Sequence, residues 1–295
     1  MAQPNEDMAS SVLRPARGPA SGSANARDRK RLDGGATAGD RRFEDEEFIK
    51  SLAKGLAVIE SFGPDYPEMN LSTVARRNGL TPGSTRRVLN TLTKLGYVWM
   101  QDQRYRLSAR ALRLGYAYLS SQPIVNLIQP RLSALSEALN ESCALSILDG
   151  TDAVCIARAT ARRLERDYMS VGARWPAHAT SAGKVLLGAF SREAIYALYE
   201  GHAPLPAVTP FTITDLQVLL QQIGKARQDG WCYINQETAL GIASLSVPIR
   251  VEGETHYSLS VSAHVNFAVT TIMERYLPDL LGTATLISGM LATKT

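Results

Sequence analysis

The stretch NLSTVARRNGLTPGSTRRVLNTLTKLGYVW, residues 70–99, decides the fold of the N-terminal part of this chain. It predicts two short helices separated by a tight turn. Gly79 ends the first helix in the left-handed conformation that glycine favours. Thr81 caps the second helix, and Pro82 takes its first position, where a missing N–H costs nothing. Helical spacing predicts one buried stripe along the second helix, made of Thr85, Val88, Leu89, Leu92 and Leu95.

The other face of the second helix is polar and suits the major groove of DNA. Small residues let its backbone approach the bases, arginines can bind guanine or phosphate, and Asn90 can pair with adenine. The alternative is an ordinary helical bundle with solvated arginines. We expect the DNA contacts to come from Ser72, Thr81, Gly83, Ser84, Arg86, Arg87, Asn90, Lys94 and Arg104.

A β-hairpin is predicted directly after the second helix, over residues 97–107 with its turn at 101–103. On the returning strand Arg104 and Arg106 alternate with apolar residues, so one face is basic and the other packs. A hairpin in this position is typical of the wing of a winged helix-turn-helix domain, which favours DNA binding over the helical bundle.

The charge distribution supports the same interpretation. Residues 71–113 hold nine basic residues and one acidic residue, whereas residues 122–295 hold 13 basic and 15 acidic residues. The formal net charge of +4 is therefore unevenly distributed: the N-terminal part is strongly basic, and the C-terminal part is nearly neutral. This polarity, and the lack of an apolar run that could cross a bilayer, favour double-stranded DNA over a membrane as the partner.

Length and cysteine usage narrow the class of protein. A chain of 295 residues, 45% of them hydrophobic, is expected to form two domains. The three cysteines lack CxxC spacing and the four histidines are dispersed, so neither a disulfide framework nor a zinc site is expected. We expect reduced, partly buried thiols in a cytoplasmic protein that carries no metal and no cofactor.

Composition and periodicity divide the chain into four segments. We expect a disordered tail at 1–45, a winged helix-turn-helix domain at 46–107, a connecting helix at 108–122 and an effector-binding domain at 123–295. The connecting helix is apolar on several faces, which predicts that a partner subunit covers one of them.

The effector-binding domain at 123–295 is predicted to be α+β with an antiparallel sheet. The expected strands are 143–148, 153–158, 167–171, 231–234, 245–250 and 257–264. The expected helices are 124–140, 182–190, 192–199, 215–229 and 269–291. Pro130 is expected to kink the first of them or split it in two, and Pro278 to interrupt the last.

Residues 170–184, SVGARWPAHATSAGK, concentrate polar groups in otherwise apolar surroundings. A helix N-terminus at Thr180 or Ser181 can attract a carboxylate, to which Arg174 would add a bidentate partner. His178 can add a hydrogen bond and Trp175 a flat apolar wall. A small organic anion is therefore expected to contact Ser170, Gly172, Arg174, Trp175, His178, Thr180, Ser181, Asn235, Glu237, Ser244, Ser260 and Ser262, with His264 on the strand face of the last two.

Catalysis is not indicated by these residues. A GxSxG nucleophile motif requires glycine two positions before the serine, and Ala179 stands there before Ser181. Neither a pair of catalytic acids nor a nucleophile next to a base stands out. A small-molecule enzyme fused to a DNA- or protein-binding module nevertheless remains the alternative class.

Four stretches together resemble the IclR family of transcriptional regulators: FIKSLAKGLAVIESF, LSTVARRNGLTPGSTRRVLNTLTKLGYV, SVGARWPAHATSAGKVLLGAF and ETALGIASLSVPI. The resemblance covers nearly all of residues 48–291 and is strongest to the PcaR/PcaU/PobR branch, which controls catabolism of aromatic acids. It implies a winged helix-turn-helix, a connecting helix and a GAF-like effector domain. It also implies homodimers, or dimers of dimers, bound at palindromic operators.

The effector that this branch implies is a small aromatic carboxylic acid such as 4-hydroxybenzoate or protocatechuate. The acid is expected near Arg174, His178 and Ser181, where it would change the packing of sheet and helix. The connecting helix would relay this change to the spacing of the two DNA-binding heads. A regulator of the same family that senses a short aliphatic acid is the second alternative.

Overall fold

The fold comes from a computed structural model, which describes residues 48–160, 170–202, 204–265 and 269–292. The predicted disordered tail at 1–45 and most of the predicted strand at 167–171 lie outside these residues. The chain forms two compact units that divide between Asn126 and Leu127. In the part of the chain that the structure describes, every helix is too short or too polar to cross a bilayer.

The N-terminal unit contains a three-stranded antiparallel sheet and four α-helices. Its elements are α1 (Lys50–Glu60), β1 (Glu68–Asn70), α2 (Leu71–Arg77), α3 (Pro82–Lys94), β2 (Val98–Gln101), β3 (Arg104–Leu107) and α4 (Leu112–Ser121). The strand order is β1-β3-β2, so the predicted hairpin is confirmed. Strand β1 was not predicted, because three residues are too few for a recognisable alternation.

The local signals of the helix-turn-helix are confirmed. The Asn70 side chain, which was not predicted as a cap, also caps α2 by accepting a hydrogen bond from the Thr73 N–H at 2.9 Å. Gly79 adopts a φ of +60°, and the Thr81 hydroxyl accepts a hydrogen bond from the Ser84 N–H at 3.3 Å. The two helices pack on one hydrophobic core made of Val58, Met69, Val74, Leu89, Leu92, Val98 and Tyr105.

The predicted buried stripe of α3 is wrong at its last position. Leu95 is 51% exposed, although Thr85, Leu89 and Leu92 are buried. The helix ends at Lys94, and the chain then turns at Gly96, whose φ is +76°. Leu95 therefore no longer follows the helical repeat, and Val98 is the next residue to enter the core.

The connecting segment begins differently from the prediction. The Ser108 hydroxyl caps a 3-10 turn (Ala109–Ala111) by accepting a hydrogen bond from the Arg110 N–H, and α4 follows only from Leu112. Within the described chain no residue of α4 is buried. Its most exposed apolar side chains are Leu112 at 74% and Tyr116 at 73%.

The C-terminal unit is built on a six-stranded antiparallel sheet in the order β6-β5-β4-β9-β8-β7, which confirms the α+β prediction. Its strands are β4 (Ser142–Asp149), β5 (Asp152–Ala159), β6 (Arg174–Pro176), β7 (Cys232–Asn235), β8 (Ile242–Val251) and β9 (Glu254–His264). Its helices are α5 (Pro123–Leu139, which begins before the division between the units), α6 (Ser181–Leu187), α7 (Arg192–Tyr199), α8 (Leu216–Asp229) and α9 (Val269–Ala292).

Two local predictions fail in this unit. Pro278 lies inside the continuous helix α9 instead of interrupting it, and Pro130 likewise does not split α5, whereas the kink at Pro130 stays a prediction. Each proline is followed within two residues by a fully buried leucine, so burial of the apolar helix face outweighs one lost hydrogen bond. The predicted loop at 172–180 contains edge strand β6 and a 3-10 turn (Ala177–Ala179) before α6.

The two faces of the large sheet differ in polarity. Helix α9 packs against β8 and β9 on the apolar face, which carries Leu245, Val247, Ile249, Leu259 and Val261. We call the other face the serine face; it carries Ser142, Ala144, Ser146, Ser244, Ser246, Ser258, Ser260 and Ser262 on β4, β8 and β9. Helix α6 covers part of the serine face, where the Ser181 Oγ lies 2.7 Å from the Ser246 Oγ.

Candidate DNA interface and effector site

The outer face of α3 presents the polar side chains that the sequence predicts. Gly83, Arg86, Arg87, Asn90 and Lys94 are exposed, and Ser84 is partly buried. The Arg87 Nε lies 3.5 Å from the Gly83 carbonyl oxygen, at the limit of a hydrogen bond. Within the described ranges neither Arg86 nor Arg87 pairs with a carboxylate, so both guanidinium groups are available to DNA. Their contact with DNA stays a prediction.

The wing presents a second basic surface. Arg104 pairs with Glu68 at 3.0 Å, and both side chains are about half exposed. Because β1 was not predicted, the sequence did not reveal that Glu68 lies opposite the returning strand of the wing. Arg106 stacks over the exposed Trp99 ring, 5.6 Å from its centroid. Arg104 therefore has an intramolecular partner that competes with its predicted contact to DNA.

The start of α6 is built by close backbone packing. Thr180 caps the helix through its hydroxyl, which accepts a hydrogen bond from the Gly183 N–H at 2.9 Å. A Cβ atom at Gly183 would lie 2.2 Å from the Ala177 carbonyl oxygen, so only glycine fits there. The Thr180 hydroxyl is thus used inside the protein, as is that of Ser181, whose partner is Ser246.

His178 is a buried neutral side chain. Its Nε2 lies 2.9 Å from the Pro206 carbonyl oxygen, and since a carbonyl only accepts, Nε2 carries the hydrogen. Burial lowers the pKa of His178, partly opposed by this hydrogen bond. Its ring stands edge-to-face against Tyr199. The indole Nε1 of Trp175 is buried and, among the described residues, has no hydrogen-bond acceptor.

Arg174 was expected to bind the carboxylate of the effector, but its guanidinium already has partners within the protein. It lies on edge strand β6, and its guanidinium binds two carboxylates: Nη1 is 2.7 Å from Asp149 Oδ2, and Nε is 3.1 Å from Asp152 Oδ2. Both acids flank the turn between β4 and β5, next to the edge strand. The sequence placed Arg174 in a loop and so did not reveal these partners. Its predicted effector contact gains no support from this geometry.

Glu237 also has an internal partner. The fully buried Lys184 places its Nζ 2.8 and 2.7 Å from the two carboxylate oxygens of Glu237 and 2.6 Å from Gln222 Oε1. This ion pair joins α6 to α8 and to the chain after β7. Glu237 was predicted to contact the effector, whereas Lys184 was not selected. The sequence signal for a buried partner of Glu237 was a lysine one turn into a helix whose other residues are apolar or small.

The serine face brings together three of the predicted effector residues. The Ser244 and Ser262 Oγ atoms are 3.0 Å apart, and Ser260 donates a hydrogen bond to the Ala144 carbonyl at 3.3 Å. Ser142, which was not predicted, stands opposite Ser262 on β4. Three further predicted residues, Ser170, Asn235 and His264, are exposed. Gly172 lies in a turn, where its φ is +86°.

The three cysteine thiols of this unit are poorly suited to act as nucleophiles. All three cysteines are free, and they are buried more completely than the predicted, partly buried thiols. Burial raises the pKa of Cys143 and Cys232 to about 12 and that of Cys155 to about 11, so the reactive thiolate is scarce. In the described ranges, no cluster of three or more His, Cys, Asp or Glu side chains could hold a metal ion.

Comparison with known proteins identifies the class. The model of the "IclR helix-turn-helix domain" matches residues 51–99, and that of the "Bacterial transcriptional regulator IclR C-terminal" matches residues 116–289. The chain therefore belongs to the IclR family of bacterial transcriptional regulators. As the helix-turn-helix predicts, it is a DNA-binding transcriptional regulator.

Particular relatives are similar over most of their length. The chain is 39% identical to the "Pca regulon regulatory protein" of Pseudomonas putida, over 80% of this chain and 82% of the relative. It is 34% identical to the "p-hydroxybenzoate hydroxylase transcriptional activator" of Acinetobacter baylyi, over 81% and 90%. A crystal structure of an IclR homolog from Microbacterium hydrocarbonoxydans complexed with 4-hydroxybenzoate matches with a TM-score of 0.69 and 25% identity, over 82% of this chain and 99% of that one.

Proposed function

We propose that this regulator senses a small aromatic carboxylic acid of the 4-hydroxybenzoate or protocatechuate type and thereby controls genes for aromatic catabolism. One observation carries the proposal: serine hydroxyls line one face of the large sheet, where the Ser244 and Ser262 Oγ atoms are 3.0 Å apart. The relatives named for p-hydroxybenzoate hydroxylase and for the Pca regulon support the aromatic class of effector.

The physical chemistry of the serine face fits such a ligand. The hydroxyls of Ser244 and Ser262 are partly buried and pair with each other, and each serine oxygen can form more than one hydrogen bond, so a ligand with polar groups of its own can join this pair. A hydroxylated aromatic acid combines a flat apolar ring with hydroxyl and carboxylate groups at its rim.

On the DNA side, we propose that α3 enters the major groove and that the wing contacts the neighbouring backbone. The exposed arginines of α3 and the excess of basic residues in this unit support that assignment. We further propose that a second copy of the chain covers the exposed apolar side chains of α4, which gives a dimer suited to a palindromic operator. The working compartment is then the cytoplasm, where the DNA lies.

We also propose that the effector is bound and released unchanged. The residues that could resemble catalytic groups are occupied or inactive: His178 donates to a backbone carbonyl, Ser181 pairs with Ser246, and the thiols are buried. Turnover of an aromatic acid by the purified protein would contradict this part of the proposal.

The function is tested by a thermal-shift screen of the purified full chain against aromatic and short aliphatic acids. An effector at about one hundred times its Kd stabilises the folded state by roughly 2.7 kcal/mol, which is a measurable rise in Tm. We expect the rise with 4-hydroxybenzoate or protocatechuate and a parallel change in operator affinity. A rise with a short aliphatic acid alone would overturn the aromatic assignment while keeping the regulator.

The dimer has its own test in sedimentation velocity. Leu112→Glu with Tyr116→Glu places two charges on the exposed face of α4, and we expect the dimer to dissociate. Tyr196→Glu is the matched control, because Tyr196 is 50% exposed on α7 and is not part of the proposed interface. Equal oligomeric states for both variants would contradict the role of α4.

A further inference from the structure

The three-stranded sheet of the N-terminal unit carries an acidic side chain among basic ones. Residues 66–113 contain nine basic residues and two acidic residues, Glu68 and Asp102. Glu68 lies on β1 directly opposite Arg106 of β3, and Arg106 is opposite Trp99 of β2. Opposite residues of an antiparallel sheet share a face, so these three exposed side chains lie together on one side, which we call the wing face.

Arg104 lies on the same wing face, nearer to the turn of the wing. It is opposite Asn70 of β1, and its position two residues before Arg106 places both arginines on one face. Its Nη1 nevertheless donates a hydrogen bond to Glu68 Oε1 at 3.0 Å, so this ion pair runs diagonally between the strands. The ion pair therefore draws the Arg104 guanidinium along the sheet, away from the turn of the wing.

The two arginines of the wing face have different internal partners. Arg106 stacks over the Trp99 ring, and this contact leaves its positive charge in place. Arg104 is instead neutralised by a carboxylate, and both side chains of that pair are about half exposed. Because an ion pair so accessible to water contributes little free energy, Arg104 can exchange Glu68 for a phosphate that is held within its reach.

We propose that Glu68 keeps Arg104 away from DNA until α3 is bound at its operator, which makes Glu68 a specificity-determining residue. This inference rests on the proposed function, in which the wing contacts the DNA backbone. On non-operator DNA the protein has no fixed register, and Arg104 stays paired with Glu68. On the operator, base contacts of α3 hold the wing against the backbone, and Arg104 exchanges its carboxylate for a phosphate. The ion pair thus removes one phosphate contact from non-specific binding alone.

The test compares the affinity of the full chain for two DNA duplexes. The operator probe is selected from a random-sequence library by repeated binding to the unchanged protein, and the non-operator probe contains the same bases in scrambled order. Affinity is measured by fluorescence anisotropy at several salt concentrations, because each phosphate contact contributes about 0.9 to the slope of log K against log salt.

Glu68→Gln releases Arg104 with little change in side-chain shape. We expect affinity for the non-operator probe to rise roughly 3- to 10-fold and its salt slope to steepen by about 0.9, so the ratio of operator to non-operator affinity falls. Asp102→Asn is the matched control, because it removes the same charge from the turn of the wing. It should change that ratio by no more than about twofold, since its long-range field acts on both duplexes alike.

Arg104→Gln should have the opposite selectivity. We expect it to lower operator affinity roughly 3- to 10-fold and the operator salt slope by about 0.9, while non-operator affinity stays within about twofold. If Glu68→Gln changes the ratio of affinities no more than Asp102→Asn does, the inference is overturned and the proposed function stands. If Arg104→Gln leaves both affinities unchanged, the wing contact of the proposed function is wrong, and the inference fails with it.

Discussion

The outer face of α3 and the serine face use polar side chains in opposite ways. On α3 the arginines point into solvent and, in the described chain, pair with no carboxylate. In the C-terminal unit the polar groups bind one another: Lys184 binds Glu237, Arg174 binds Asp149 and Asp152, and Ser181 pairs with Ser246. A DNA surface must present its charges, whereas a buried site must satisfy them first.

This difference changes what a substitution measures. On α3, removal of an arginine should affect DNA binding without a cost in stability, because nothing else depends on it. Where the C-terminal unit buries a polar pair, as at Lys184 and Glu237, removal of one partner leaves the other unpaired in the interior, so stability falls whether or not the residue also binds the effector. Each assignment in that unit therefore needs a stability measurement beside the binding measurement.

The largest effect is expected from breaking the buried ion pair. Lys184→Met leaves the Glu237 carboxylate buried without its cation, and we expect the free energy of unfolding in urea to fall by about 3–5 kcal/mol. The double variant Lys184→Met with Glu237→Met removes both charges and should recover most of this loss. A double variant as unstable as the single one would show that Glu237 does not depend on Lys184.

The next largest effect should fall on DNA binding alone. Arg86→Ala with Arg87→Ala should lower operator affinity roughly 100-fold or more, because each good base or phosphate contact is worth about 1–3 kcal/mol. If both arginines contact phosphate, the salt dependence of binding should decrease by about two counterions. The Tm and its rise with effector should not change. A parallel loss of stability would indicate that these arginines are structural.

A smaller effect concerns pH, through His178. Burial lowers the pKa of the folded His178, whereas in the unfolded chain it titrates near 6.5. As the pH falls through that value the unfolded state binds more protons, so His178 lowers stability toward acid pH by at most about 1.4 kcal/mol per pH unit. Urea unfolding of His178→Gln from pH 7 to pH 5 should therefore show a shallower loss than the unchanged protein.

Subtraction of the two pH profiles isolates His178 from the other titrating groups. Burial raises the pKa of Glu141, which acts in the opposite direction because the folded state then takes up protons more readily at low pH. That contribution is common to both proteins and cancels in the difference. Identical profiles would contradict a buried neutral His178.

The same contrast explains which parts of the molecule the sequence predicts. Caps, glycines and the helical repeat are local signals, so the helix-turn-helix was predicted almost residue by residue, including Gly79 and Thr81. The partners of Arg174 and Glu237 come from other elements 22 to 53 residues away along the chain, and periodicity carries no information about them. The serines of β8 and β9 were found because alternation on a strand is itself local.

Errors in the predicted elements have the same origin. Edge strand β6 and the short β1 each have only three residues, and each exists because a longer strand lies next to it. Likewise, Pro130 does not break α5, because the helix buries Leu132 and Leu135 on the far side of the proline. Tertiary packing decides these cases, and a single sequence shows it only indirectly.

The smallest expected change in the free energy of unfolding is at Leu95, where the helical repeat predicts burial and the structure shows exposure. The helical repeat assigns Leu95 to the core, but it is 51% exposed beyond the end of α3, whereas Leu92 is only 6% exposed. Leu95→Ala should therefore change the free energy of unfolding by no more than about 0.5 kcal/mol. Leu92→Ala, the matched change one turn earlier, should cost about 2–5 kcal/mol. A cost at Leu95 as large as at Leu92 would mean that another surface covers it, and a protein concentration series would then show whether that surface belongs to a second copy.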